Sequence, residues 1–312
     1  MTEAFRIVDL GDHRVLETGG RQYPTRYSAR VIRMLIDRKG ARRAALYFDF
    51  KETRGRRFLG PLFAYLRSRG AGGLRTLEVG CSFGHMTEHL AEQPEVATLT
   101  TFDTDRAFVE LTRAKVDELG LAVVREVRHL AQDATRRLPW ADAAFDLVLA
   151  VGVVEHLPLG WRRAQVDEYY RVLAPGGHIA ILDTPNRWFP LETHSVGLPL
   201  VQWLPPRLAW HYARLGRPRT YRAVSFDEFV ADGTGWRNAT FADCLPSGGL
   251  AGLADVTEET GYSFRFFRDT ADSRTRRAVL PLFAAAAGAL RALGHSPTLA
   301  LPYLNLVFRK TA

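Results

Sequence analysis

The chain has 312 residues, 46% of them hydrophobic and 24% charged, which is material for one large α/β core or for a domain carrying a substantial insertion, and places it among globular proteins. No window approaches the ~18 uninterrupted apolar residues of a bilayer span, and the opening MTEAFRIVDLGDHRVLETGG lacks the basic and apolar regions of a secretion signal, so the expected compartment is the cytoplasm. The formal charge is +8 and the pI about 9.8, carried almost wholly by arginine: the lysines are Lys39, Lys51, Lys115 and Lys310. An Arg- and Ala-rich, Lys-poor chain can reflect genome composition, which argues against nucleic acid as partner. The dense basic runs RVIRMLIDRKGARRA and KETRGRR still leave open an anionic substrate or peripheral contact with an anionic membrane. Two cysteines, Cys81 and Cys244, stand in no metal-ligand or CxxC spacing. Neither a disulfide framework nor a zinc site is expected, and no residue is assigned to a metal.

In chain order, residues 1–70 read as a basic N-terminal helical cap, because RYSARVIRMLID and RRFLGPLFAYLRSRG space apolar residues at helical intervals. Residues 71–184 alternate strand and helix. LRTLEV, VATLTTFD, AVVREVRHL, FDLVLAV and HIAILDT are strands, and GHMTEHLAEQ, DRAFVELTRAKVDELG and WRRAQVDEYYRVLAPGG are helices. That is the pattern of a Rossmann-like, doubly wound parallel sheet with helices on both faces. Residues 185–248 are a long insertion, rich in Trp188, Phe189, Trp203, Leu204, Trp210 and Tyr212, with Arg207, Arg214, Arg217 and Arg219 beside them. Such a segment suits a lid or substrate wall, an interfacial surface, or plain packing. Residues 249–312 return to the core: LAGLADVTEETG reads as a helix, YSFRFFRD as the sixth strand, RRAVLPLFAAAAGALRALG as a helix and YLNLVFRK as the seventh strand.

The first strand of the alternating region runs into Glu78-Val-Gly80-Cys81-Ser82-Phe-Gly84 and then into a helix. In a doubly wound sheet this turn is where a ligand sits, and glycine lets the backbone approach it closely. A dinucleotide fingerprint reads G-x-G-x-x-G. Here an acidic residue precedes the first glycine, unwelcome near a pyrophosphate but suited to a cation. S-adenosylmethionine carries a sulfonium and an ammonium and no phosphate.

From Leu74 to Asp183 the sequence resembles the class I S-adenosylmethionine-dependent methyltransferases, in particular the type 11 group with its ubiquinone-pathway and natural-product enzymes. LEVGCSFG is similar to the family's glycine-rich motif, TTFDTD to the end of its second strand, QDATRRLPWADAAFDLVLAVGVVEHL to its next two blocks, and RVLAPGGHIAI to the approach to its fifth strand. The resemblance implies S-adenosylmethionine as cofactor and S-adenosylhomocysteine as product, held by Glu78, Gly80, Cys81, Ser82 and Gly84. It implies that Asp103, with Thr104 after it, accepts from the ribose hydroxyls. Asp133 and the Ala134 N–H stand near the adenine, and Val151 closes the set. Ser82 is a departure, standing where many members carry glycine.

Methyl transfer from a sulfonium is an in-line displacement, so the enzyme must position a nucleophile and, for a hydroxyl, take its proton. His156 in VVEHL is one candidate base, near the methyl position the resemblance implies. His194, with Glu192 as orienting carboxylate, is the second. For both histidines a purely structural loop role stays open. The expected reaction is methylation of a small-molecule acceptor, hydrophobic or anionic, most simply at a hydroxyl of a secondary metabolite, quinone-like ring, lipid or sugar. The alternatives are an RNA or other nucleic-acid methyltransferase and a non-catalytic S-adenosylmethionine-binding protein. DTPN at Asp183–Asn186 is a faint echo of an amine-methylating tetrad, and oligomeric state is not legible.

Overall fold

The computed structural model describes residues 4–48, 51–216, 219–231, 233–262, 264–270 and 274–311, and the chain forms two compact units, Met1–Gln132 and Asp133–Ala312. Arg217, read above beside the insertion's aromatics, lies outside the described residues.

In the first unit β1 (Phe5–Asp9), β2 (Arg14–Thr18) and β3 (Arg21–Thr25) form an antiparallel meander, with Thr18 paired to Arg21 across a two-residue Gly19-Gly20 turn. This corrects the expectation of a wholly helical extension over residues 1–70. The strands are short and two-sided, and the helical spacing begins after them. It produces α1 (Ala29–Lys39), α2 (Ala41–Ala45) and α3 (Arg56–Ser68), with Ser28 Oγ accepting from the Val31 N–H to start α1. There follow β4 (Leu74–Val79), α4 (His85–Ala91), β5 (Val96–Asp103), α5 (Arg106–Leu119) and β6 (Val124–His129), the strands parallel in the order β6-β5-β4.

The N-terminal segment is bound into this unit by two kinds of contact. Leu16, Tyr27, Ile32 and Leu35 pack in one cluster with Leu111 and Ala114 of α5 and with Phe83 of the glycine turn. The second is a charge network centred on buried Glu88 and Lys115. Lys115 Nζ donates to Glu88 Oε1 (2.8 Å), Tyr27 Oη donates to the same oxygen (2.7 Å), and Arg26 reaches Glu88 Oε2 (2.9 Å). Burial of Lys115 pulls its ammonium below the usual lysine range, and the adjacent Glu88 carboxylate opposes that shift.

The second unit holds β7 (Phe145–Val151), α6 (Arg162–Val172), β8 (Leu173–Pro185), α7 (Pro206–Ala213), α8 (Phe226–Val230), β9 (Leu253–Asp255), α9 (Phe264–Asp269), α10 (Arg274–Ala292) and β10 (Tyr303–Lys310). Its strands are ordered β7-β8-β10-β9; β7 and β8 are parallel, and β10 runs antiparallel to both neighbours. With three strands in the first unit and four in this one, the mixed seven-stranded α/β fold class expected from the sequence is present. Two elements differ from expectation. FRFFRD, Phe264–Asp269 within the stretch read as a strand, is helical: Phe266 packs on Tyr262 (5.2 Å between ring centres) and Phe267 on Phe283 (5.2 Å). The sixth core strand is instead the three-residue β9, inside the stretch read as a helix.

The segment after β8 contains a small buried cluster. Val196, Val201, Ala209, Ala213, Phe229 and Trp236 are buried together, with Leu204, Trp210 and Tyr212 packed against them. Trp188 and Trp203 are exposed. Among the described residues no helix is long and apolar enough to cross a membrane.

Candidate functional site

In the first unit the chain leaves β4 through the glycine turn. The N–H groups of Gly80 and Cys81 both donate to the Phe102 carbonyl (3.0 and 3.1 Å), so the turn stays tied to β5. Gly84 has φ 74°, and a Cβ there would meet Thr112 Oγ1 at 3.0 Å and its Cα at 3.3 Å, so glycine is needed for both conformation and space. Ser82 is left-handed as well, at φ 47°, which explains why a glycine suits this place. Its N–H donates to Asp103 Oδ2 (2.9 Å), while Asp103 Oδ1 accepts from the Asp105 N–H (2.9 Å). The carboxylate at the end of β5 therefore clamps the turn at the end of β4, with Thr104 next to it. Burial pushes the Asp103 carboxyl up, and the N–H groups of Ser82 and Thr104 pull the other way.

Glu78 is buried, with Oε2 accepting from Thr87 Oγ1 (2.6 Å). Desolvation pushes its pKa up to about 7, against the opposing Thr87 and Thr101 hydroxyls. A desolvated carboxylate of this kind would be stabilised in its charged form by a cationic ligand, which fits the charge of S-adenosylmethionine. The Cys81 thiol is also buried and pushed well up, so it is an inert small side chain rather than a nucleophile.

In the second unit Asp133 and Ala134 open a short 3-10 turn and are exposed, and the Ala134 N–H donates to Asp133 Oδ1 (3.0 Å). Val151 ends β7, paired with Leu182 of β8. The next turn, Val154–His156, carries Glu155 and His156. His156 Nδ1 lies 2.8 Å from the Gly233 carbonyl, and its Nε2 lies 3.2 Å from Nε2 of His194. The two candidate histidines, 38 residues apart in sequence, thus meet. Glu192 does not orient the His194 imidazole as expected. It is fully buried, and its carboxylate accepts from four backbone N–H groups, those of His194 (2.7 Å), Ser195 (2.8 Å), Val196 (2.6 Å) and Gly197 (2.9 Å). Glu192 fixes the loop that presents His194.

Sequence reasoning missed three participants. Glu155 is buried, with Oε1 3.8 Å from His156 Nε2 and 4.0 Å from His194 Nε2. Arg162, at the start of α6, donates to the backbone carbonyls of Glu155 (3.0 Å), Leu157 and Asn238 (3.0 Å), and pairs with Asp243 (3.4 Å). It ties the β7 turn to residues 238–243. Gly235 lies against both imidazoles: a Cβ there would stand 3.0 Å from His156 Cε1 and 3.3 Å from His194 Cδ2. The adjacency of Glu155 to His156 was the one available signal. The DTPN echo dissolves, because Asn186 is buried and donates its amide to the Leu299 and Leu301 carbonyls.

Residues 77–181 match the family model described as a methyltransferase domain, type 11. The chain is 36% identical over 118 residues to a protein of Mycolicibacterium smegmatis named "Probable S-adenosylmethionine-dependent methyltransferase", covering 37% of this chain and 39% of that one. It is 31% identical over 140 residues to a ubiquinone biosynthesis O-methyltransferase of a Caulobacter species, covering 43% and 50%. A solved methyltransferase of Aquifex aeolicus, described as SAM dependent, aligns at 22% identity and TM-score 0.37 over 51% of this chain and 80% of that one. The matched region spans half or less of these two sequence relatives. Residues 77–181 thus match a methyltransferase-domain family, and the cofactor which that family implies is S-adenosylmethionine.

Proposed function

We propose that the protein transfers a methyl group from S-adenosylmethionine to a small-molecule acceptor, at a hydroxyl oxygen. The observation that carries the first half is the Glu78 to Gly84 turn clamped by Asp103, within the segment that matches the methyltransferase family. In this reading the turn residues Gly80, Cys81, Ser82 and Gly84 hold the methionine part, and Glu78 meets its positive charge. Asp103 and Thr104 bind the ribose, and Asp133, Ala134 and Val151 border the adenine. The preference for oxygen is supported by the histidine pair, since an imidazole nitrogen lone pair can take a hydroxyl proton during an in-line displacement. The relative named as an O-methyltransferase agrees with that preference. Residues 185–248 serve as the acceptor-side wall, and Trp188 and Trp203, exposed on it, suit an apolar or ring-shaped acceptor.

The cofactor supplies an activated methyl carbon; the chain positions the acceptor and removes a proton from it. Calorimetric titration with S-adenosylmethionine, S-adenosylhomocysteine and NADH tests the cofactor half. Micromolar binding of the two sulfur compounds, absent for NADH and lost in Asp103→Ala, is expected; binding of NADH or of none would sink it. With acceptors screened by mass increase, His156→Ala should lower turnover by about 10²-fold or more and leave cofactor affinity unchanged. Unchanged turnover would shift the reading to an amine or activated carbon.

A further inference from the structure

Glu155, His156 and His194 bring three ligand-type atoms within 4.8 Å of one another, and all three residues belong to the second unit. The edges of the triangle are 3.2 Å between the two Nε2 atoms and 3.8 and 4.0 Å from them to Glu155 Oε1. The point equidistant from its corners lies about 2.1 Å from each, within the ~2.0–2.2 Å of zinc–nitrogen and zinc–oxygen bonds. Little side-chain adjustment is required for the three to become one face of a tetrahedron.

The protonation pattern agrees. A carbonyl oxygen can only accept, so the 2.8 Å contact of His156 Nδ1 with the Gly233 carbonyl puts the proton on Nδ1 and, in the neutral ring, the lone pair on Nε2. An imidazole whose far nitrogen donates to a backbone carbonyl is the usual second shell of a metal-bound histidine. Glu192 holds the loop that carries His194, and Gly235 is packed against both rings, so ring positions are fixed by the surroundings. The Glu155 side chain is fully out of water, whereas those of His156 and His194 are 40% and 27% exposed. The carboxylate closes one end and the other end faces solvent. Arg162 is the cation next to the cluster, and its guanidinium is engaged by backbone carbonyls and Asp243.

We propose that Glu155, His156 and His194 form a binding site for a divalent cation of the zinc class, with one coordination position open to water or another oxygen ligand. Two imidazoles and one carboxylate favour zinc, cobalt or nickel over magnesium or calcium, which take all-oxygen sites. The site does not depend on methyl transfer: it uses none of the Glu78 to Asp103 cofactor turn. When the ion is bound, the imidazole lone pairs are committed to it, and a bound oxygen becomes the group that loses a proton.

The test uses the full chain, stripped with chelator and titrated with Co²⁺ without S-adenosylmethionine, reading visible ligand-field bands, and with Zn²⁺ by calorimetry. One equivalent, with the bands of a four- or five-coordinate ion, is expected. His194→Gln and Glu155→Gln should each weaken it by 10²-fold or more, and Gly235→Ala, which crowds the rings, by about tenfold. His211→Ala, on α7, should leave it unchanged. Thermal melts confirm that each variant is folded; should Glu155→Gln not fold, His194→Gln, at a half-exposed position, decides. Failure of the wild type to bind an equivalent of either ion, or binding that survives in His156→Ala/His194→Gln, would overturn the site and leave the pair as two rings sharing one proton. Because no cofactor is present, that failure is separate from any failure of the methyltransferase reading.

Discussion

The turn after β4 and the turn after β7 both follow the carboxyl end of a parallel strand, yet they are built by opposite means. The first is local. Five residues from Gly80 to Gly84 make it, and one carboxylate 21 residues on, Asp103, ties it down through the Ser82 N–H. The second is assembled from afar: Glu155 and His156 come from one turn, His194 from a loop organised by Glu192, and Gly233 and Gly235 from a third segment some forty residues further on. A local device can be seen as a motif. A remote one depends on tertiary packing and on single buried residues, and so should be the more fragile of the two.

The largest effect is therefore expected at Glu192. Its carboxylate satisfies four backbone N–H groups in a fully buried position, and Glu192→Ala leaves them without that acceptor. Hydrogen bonds to an ion and orphaned donors together put the loss at roughly 3–5 kcal/mol, to be read from urea unfolding. Hydrogen exchange should rise first at residues 193–197. A loss below about 1 kcal/mol would mean that the Val196, Val201 and Trp236 cluster holds the loop unaided.

The same contrast explains what was legible in the sequence. β5 and β7 fall at the expected limits, Val96–Asp103 and Phe145–Val151; β7 is a buried parallel strand that writes itself as an apolar run, and β5 is marked by its β-branched residues between turns. The positions of Glu78, Gly80 and Asp103, at the ends of β4 and β5 and in the turn between β4 and α4, were legible because a βαβ unit fixes their spacing. The N-terminal meander was hidden because its strands are only five residues long and two of them, RVLET and RQYPT, carry more polar than apolar side chains. YSFRFFRD was misread because its phenylalanines satisfy a two-residue alternation in part, whereas their partners, Tyr262 and Phe283, belong to helical spacing and to a remote helix. β9 is three residues long, too short to show any period. The roles of Glu192 and Arg162 were not legible at all, since each is defined by backbone groups that only the fold brings near it.

Glu78 supplies the next effect, on the local side of the comparison. Burial raises its pKa from the ordinary value of 4.5 to about 7, so the carboxyl is favoured protonated in the folded chain. The stability this contributes is fully present below the unfolded pKa and is lost as pH rises through about 7, a change of about 3 kcal/mol. Unfolding at pH 5 and pH 8 should show the wild type losing stability across the interval and Glu78→Gln losing correspondingly less. Equal losses in both would mean that Glu78 is solvated and that the turn is not poised for a cation.

The smallest effect, at Ser82, asks whether the local turn is strained. Ser82 holds φ 47°, a conformation that costs a residue with a Cβ about 1–2 kcal/mol relative to right-handed backbone, and glycine adopts it without that penalty. The turn's hydrogen bonds at this residue are made by its backbone: the N–H donates to Asp103 Oδ2, and the carbonyl accepts from Thr112 Oγ1 at 3.2 Å. Ser82→Gly keeps both. Against the relief stands the greater freedom of glycine in the unfolded chain, roughly 0.4–1 kcal/mol. The net expectation is a gain of about 0.5 kcal/mol in urea unfolding. A loss instead would show that the serine side chain holds the turn, and would make even the local device dependent on a contact that the motif alone does not reveal.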